Sequence, residues 1–252
     1  MRGVLVGLCL AATPHLAAAE PAWPWLRDEL FADRAIEAAS GAVTLDAPAR
    51  AADDRAVPIS VAAQLPQGAA IRRISLLIDD NPAPVSAVID LAEPRRAASF
   101  AFTMRLNGPS PVRAVVESAD GALFMAETLV KSSGLGACAA PPGVDAVAAM
   151  ATLGDMTLIA DAPGRLRLSV SHPSYSGMQM EQITLLYTPA RHVRTLEVGA
   201  DEAPLFTVTG SISLSENPEF GFDTPLGANT LRVRMTDTDG AAFERRFALG
   251  EG

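Results

Sequence analysis

Ser99-Phe100-Ala101-Phe102-Thr103-Met104-Arg105-Leu106 places a bulky apolar side chain at every second position and a small or polar one between. Successive side chains of an extended chain point to opposite faces, so this period of two predicts a strand buried on one side. Val57, Ile59 and Val61 repeat the pattern upstream. Residues 71–78 and 85–91 add two candidates, separated by the turn signal Asp79-Asp80-Asn81-Pro82. Residues 112–118 and 123–130 flank Asp120-Gly121, a dipeptide suited to the positive φ angles of a tight hairpin.

The same grammar returns in the second half. Leu166, Leu168 and Val170 alternate, and 183–187, 193–198, 205–208 and 212–214 are short strand candidates divided by Pro, Gly and Ser. Residues 231–235 and 243–249 bracket a second Asp-Gly turn at Asp239-Gly240. Many short strands with turn signals between them predict an all-β chain of two immunoglobulin-like β-sandwich domains, over 20–131 and 151–252. A flexible cysteine-bearing linker, 132–150, joins them. Residues 23–36 read as a short N-terminal helix, with Pro24 in the first turn and Leu26 and Leu30 on one face. Residues 143–151 are Ala-rich and fit a short helix or plain linker equally well.

With 252 residues there is room for two ordinary domains or one large β domain, and length alone does not choose between them. The net charge is -9, Lys131 is the only lysine, and no basic run occurs, so the electrostatic footprint of a nucleic-acid binder is missing and attraction to an anionic membrane is disfavoured. Arg2, the apolar stretch 4–12 and Ala17-Ala18-Ala19 have the order of a secretory signal peptide cleaved before Glu20, giving a soluble, exported, periplasmic protein with a net charge of -10. Cys9 would leave with that peptide.

Cys138 is then the sole thiol of the mature chain, and an odd cysteine in an exported protein is free, modified or paired with another molecule. The ordinary alternative is a buried thiol packed as a small hydrophobe. Its surroundings, Ser132-Ser133-Gly134-Leu135-Gly136-Ala137-Cys138-Ala139-Ala140-Pro141-Pro142-Gly143, have neither strand nor helix period. They predict an exposed thiol on a flexible arm made by Gly134, Gly136, Ala137 and Ala139. Seven extended residues from Lys131 reach about 23 to 25 Å. The composition implies access to the sulfur without activating it.

A catalytic reading finds little to work with. Once the leader is removed only His172 and His192 remain, and no GxSxG, HExxH or Gly-rich phosphate loop is present. His172, before Pro173, reads as a turn residue and His192 as a half-exposed residue at the head of a strand, although either could approach Cys138 as a base. Two histidines and one cysteine without recurrent spacing make no metal signature, and Asp237-Thr238-Asp239-Gly240 reads as a hairpin turn, not a calcium loop. Asp53-Asp54 and Asp79-Asp80 read as solvated loop carboxylates. No cofactor motif occurs.

The first half resembles SoxY in Leu45-Asp46-Ala47-Pro48-Ala49-Arg50-Ala51 leading to Val57-Pro58-Ile59, in Ile78-Asp79-Asp80-Asn81-Pro82-Ala83-Pro84 and in Arg113-Ala114-Val115. The second is similar to SoxZ in His172-Pro173-Ser174-Tyr175-Ser176-Gly177 and in Gly210-Ser211-Ile212-Ser213-Leu214-Ser215-Glu216-Asn217-Pro218-Glu219-Phe220. The single-chain arrangement is similar to fused SoxYZ-like carriers associated with quinoprotein dehydrogenases. The resemblance implies two β-sandwiches and a cysteine, matched by Cys138, that holds sulfur intermediates covalently while partner enzymes act on them. The arm here reads GLGACAAPP where the family has a GGCGG-like end, and it is internal, tethered on both sides. The expected function is a non-enzymatic periplasmic carrier presenting a substrate or sulfur intermediate on Cys138 to enzymes that load and unload it. The setting would be sulfur oxidation or a quinoprotein dehydrogenase system. The alternatives are a non-covalent or chaperone-like module docking to a periplasmic dehydrogenase, and a disulfide-linked dimer.

Overall fold

The computed structural model of the chain describes residues 22–38, 41–134, 136–143, 145–181 and 184–249. The leader read over 1–19, with Cys9, lies outside them.

The chain opens with helix α1 (Ala22–Phe31), shorter than the 23–36 expected. Leu26 and Phe31 are buried, Ala32 turns to φ 50° and ends the helix. Ile36 then enters a strand, β1 (Ile36–Ala38). There follow β2 (Val43–Asp46), β3 (Val57–Gln64), β4 (Ile71–Ile78), β5 (Val85–Arg95), β6 (Ala97–Met104), β7 (Ser110–Ser118) and β8 (Leu123–Val130). Beyond the arm come α2 (Ala146–Ala151), β9 (Met156–Ala162), β10 (Arg165–Val170), β11 (Val193–Ala200), β12 (Ala203–Gly210), β13 (Glu219–Asp223), β14 (Thr230–Asp237) and β15 (Ala242–Ala248). The open choice at 143–151 resolves to a helix because Asp145 caps it, accepting from the backbone N–H of Val147 at 2.9 Å and of Ala148 at 3.3 Å.

Two candidates are not strands. Residues 184–187 form an exposed loop in which Tyr187 makes one isolated bridge, to Met180, and Ile183 falls outside the described residues. Residues 212–214 form a turn held by the Ser211 hydroxyl, which accepts from the Ser213 N–H, and Leu214 bridges only to Met104.

The architecture is all-β and immunoglobulin-like, with β1–β8 drawn from the first half and β9–β15 from the second. Among the described residues the strands form a nine-stranded sheet, β1-β8-β7-β4-β5-β12-β11-β14-β15, and a six-stranded sheet, β2-β3-β6-β13-β10-β9. Both cross from one half to the other. β5 pairs antiparallel with β12 from Leu91↔Phe206 to Ala87↔Gly210, and β6 with β13 through Phe102↔Phe220, Ala101↔Gly221 and Phe100↔Phe222. A Cβ on Gly221 would stand 3.0 Å from that of Ala101, so the close approach of the two strands asks for glycine.

Because both sheets run through the seam, one buried cluster serves both halves, and the apolar faces of β3, β6, β10 and β14 all contribute to it. At its centre the rings of Phe100 and Phe206 meet at 5.0 Å between centroids, Phe206 and Phe222 at 5.1 Å and Phe102 and Phe220 at 5.8 Å, each close to edge-on. A smaller cluster of Phe31, Leu77, Val115 and Leu123 seats α1 on the outer face of the larger sheet.

Asp79 is not solvated, as its loop position implied, but buried. Arg113 donates to it at 3.0 and 2.9 Å, also pairs with Glu127, and lies 4.3 Å from the centroid of the Trp23 ring. A buried carboxylate needs such a partner, and the guanidinium also fixes the start of α1.

Candidate functional site

The loops following β4, β6, β8, β10 and β12 converge on one another, and polar side chains lock them together. Asn81 donates to the backbone carbonyl of Arg105 at 2.8 Å and to the Ser213 hydroxyl at 3.0 Å, and accepts from the Asn107 N–H at 2.9 Å. Ser213 in turn donates to the Ala83 carbonyl at 3.0 Å. Arg105 reaches into the second half, where Nη1 donates to the carbonyls of Leu214 at 2.6 Å, Ser174 at 2.7 Å and Ile212 at 3.3 Å.

Cys138 lies against this knot and is 0 % exposed. The arm is a tight turn, not a loose tether. The Ala139 N–H donates to the Gly136 carbonyl at 2.9 Å, and Gly134 and Gly136 adopt φ 74° and 76°, the left-handed region that favours glycine. Its start is pinned by backbone bonds between Lys131 and both Ala49 and Ala51, and by Asp54 accepting from Ser133. At its far side Glu216 accepts from the Gly143 N–H at 2.8 Å. Ala137 is buried with the cysteine, whereas Gly134 and Ala139 are exposed and Gly136 partly so.

Each half holds the peptide groups of Cys138 by one bond. Its N–H donates to Asn107 Oδ1 of the first half at 3.4 Å, and its carbonyl accepts a hydrogen bond from the Ser176 hydroxyl of the second. Ser176 is itself fixed, its N–H donating to Gln179 Oε1 at 3.1 Å. The expected exposed, mobile thiol is therefore corrected. Small residues give the sulfur no cover of their own, but they let the turn sink between loops from both halves. The backbone on either side is turn and not sheet. Burial pushes the thiol pKa up, partly opposed by the nearby Arg105 charge. The closed thiol is thus a neutral, protected group.

Beside it opens a cleft of about 180 Å³ whose lining includes Arg55, Arg105, Ala137, Ala140, Gln179 and Glu216. Arg55 is tied to Asp53 by a bidentate pair at 2.9 and 3.0 Å.

His172 belongs to a different cluster; it lies in the loop after β10, as read, and is fully buried there. Nδ1 accepts from the Ser174 N–H at 2.9 Å, which leaves the proton on Nε2, 3.7 Å from Asp237 Oδ2 and without a hydrogen-bond partner. Asp237 takes its strong bond from Arg191 at 2.8 Å. Burial holds the His172 pKa down at about 4, against the attraction of Asp237. Burial and then Arg194 also push His192 down. Both histidines are therefore easier to protonate in the unfolded chain, where the usual value is about 6.5. Stability is expected to be full above pH 6.5 and to fall as the pH drops toward 4. Urea midpoints at pH 7.5, 6 and 5 check this: they should decline in the native chain and decline less in His172→Gln, and a flat profile would contradict it.

Arg105, Asn107 and Ser176 escaped sequence reasoning as site residues. Ser176 and Asn81 sit inside the stretches that resembled SoxZ and SoxY, which was a signal; Arg105 follows a strand at a position whose alternation points outward, and nothing in the sequence marks it. Asp237-Thr238-Asp239-Gly240 is a hairpin turn, with Asp237 Oδ1 accepting from the Ala241 N–H at 2.8 Å. Among the described residues no cluster of His, Cys, Asp and Glu has the makings of a metal site, and no helix is long and apolar enough to cross a membrane.

Two immunoglobulin-like sandwiches sharing both sheets, with a cysteine clasped where their loops meet, define a class of paired-sandwich thiol proteins. Residues 27–138 match the family of sulfur oxidation protein SoxY, a match that ends on the cysteine itself, and residues 158–248 match that of sulphur oxidation protein SoxZ. Together the matches cover most of the chain, which belongs to these families as a fused SoxYZ-like protein. Among solved structures it is similar to the sulfur carrier protein SoxY from Chlorobium limicola f thiosulfatophilum, at 26% identity over 44% of this chain and 90% of that one, with a TM-score of 0.38. It is similar also to the superoxide reductase (neelaredoxin) from Ignicoccus hospitalis, at 18% identity over 36% and 79%, with a TM-score of 0.27. No curated protein matches the chain.

Proposed function

We propose that this protein is a periplasmic covalent carrier in which Cys138 holds a sulfur intermediate or substrate, sheltered in the closed turn and presented when that turn lifts. The observation that carries the reading is the seating of Cys138: a lone thiol at the end of the SoxY-like region, gripped by one side-chain hydrogen bond from each half. Such a grip is strong enough to protect a reactive group and weak enough to release it, since each bond is worth about 1 kcal/mol. The arm is the working element, 132–150, between a carrier body over 20–131 and a second over 151–252. The partners are enzymes that load and unload the thiol, in a sulfur-oxidation system or, following the resemblance to quinoprotein dehydrogenase-associated carriers, beside a periplasmic dehydrogenase. The protein itself performs no catalysis.

Intact-mass measurement of the protein recovered from cells grown with and without a reduced sulfur source tests this. Mass adducts confined to Cys138, and lost in Cys138→Ala, are expected. A thiol recovered bare under every growth condition would count against the carrier.

A specific feature favours a second reading. Met178, Met180, Leu185, Leu186 and Tyr187 are exposed on the loop that begins beside Ser176, as a non-covalent docking module would require. In that case Cys138→Ala leaves the host phenotype intact and charged substitutions on this loop abolish it.

A further inference from the structure

Arg105 carries a charge that no direct ion pair among the described residues answers. Its side chain is 2 % exposed. Nη1 is engaged by three backbone carbonyls, which supply only partial charge, and among the described residues no carboxylate pairs with it. A buried cation normally has a counter-ion, because burial without one is costly. The nearby carboxylates make no ion pair with it: Asp53 is satisfied by Arg55, and Glu216, which accepts from the Gly143 N–H, attracts the guanidinium only from a distance. Arg105 nonetheless faces the cleft that Ala137 and Ala140 line on either side of Cys138.

We infer that Arg105 is the positioning residue for a negative charge at residue 138, the thiolate or an anionic group borne on its sulfur. The borne group rests on the carrier reading; the charge relation does not. With a bare, protonated thiol the guanidinium has only the distant attraction of Glu216 and no direct counter-ion. A group on the sulfur that brings its own negative charge supplies the close counter-ion, so the loaded arm is held closed more firmly than the empty one. An uncharged group gains nothing from Arg105. The site therefore selects what it shelters by charge.

Cys138→Asp and Cys138→Asn in the full chain test this, since the two side chains have nearly the same shape and differ by one charge. In a buried site without a counter-ion the carboxylate is the worse of the two. With Arg105 in place, the Asp variant should melt above the Asn variant at pH 7, by about 3 °C or more for a chain of this size. The advantage should vanish or reverse in the Arg105→Gln background. An Asp variant melting level with or below the Asn variant, with Arg105 intact, overturns the inference. Should Arg105→Gln fail to fold, the first comparison decides alone. Because neither variant has a thiol, the outcome is independent of whether adducts are ever found on Cys138.

Discussion

Replacing Ser176 by alanine is expected to raise the alkylation rate of Cys138 in the folded protein about ten- to hundredfold. The Ser176 hydroxyl is the side-chain group that closes the second half over the turn, and its bond to the Cys138 carbonyl spans 38 residues of sequence. Removing it leaves that carbonyl without its partner while closed, a cost of about 1–3 kcal/mol. Once the turn lifts, water satisfies the same carbonyl. The closed state alone is penalised, and about 1.4 kcal/mol is a factor of ten in the population of open molecules. Iodoacetamide labelling read by mass gives the rate directly, with hydrogen exchange in β4 and β7 showing that the sheets stay protected. An unchanged rate in Ser176→Ala would mean that the hydroxyl does not govern access.

The second large effect lies in the seam. Phe220→Ala is expected to cost about 3–5 kcal/mol, the usual range for removing a buried aromatic ring. More telling is where the loss is felt. Phe220 belongs to β13 of the second half, yet its ring packs edge-on against Phe102 of the first, within a core common to both. Neither half keeps its sheets intact if the other unfolds, because β5 and β6 would each lose a strand neighbour. Urea unfolding should be a single transition in the native chain, and Phe220→Ala should move the midpoint of probes in both halves together. Trp23 and Trp25 report the first half by fluorescence, and exchange-protected amides of β11 and β14 report the second. A midpoint that moves for one half only would refute the shared core.

The sequence makes some of this legible and hides the rest, for physical reasons. Regular alternation marks β3, β6, β10 and β14, since each has one face in the common core. β13 is five residues with a glycine at its centre, and only the pairing with β6 explains why Gly221 belongs there. The continuity of the sheets is not written in any one strand: an edge that pairs with another half carries the same residues as an interior strand of its own. The buried state of Cys138 is hidden for a related reason. Gly, Ala and Pro around it make a turn, but its backbone is held by Asn107, 31 residues upstream, and Ser176, 38 residues downstream. Arg105 looks like an outward-facing strand-end residue until loops of the second half close over it. The clues that did reach the site were stretches 78–84, 172–177 and 210–220, which supply Asn81, Ser176 and Ser213.

The most direct test of a sheltered but releasable thiol is pulsed alkylation of the native chain at rising urea concentrations below the unfolding midpoint. The slope of an opening free energy with denaturant follows the surface that opening exposes. Lifting one turn exposes little, so labelling of Cys138 should proceed to completion with a shallow urea dependence while amides in β4 and β14 remain protected. Labelling that shares the steep urea dependence of global unfolding would mean that Cys138 is reached only when the sandwiches come apart, and a carrier could not work that way.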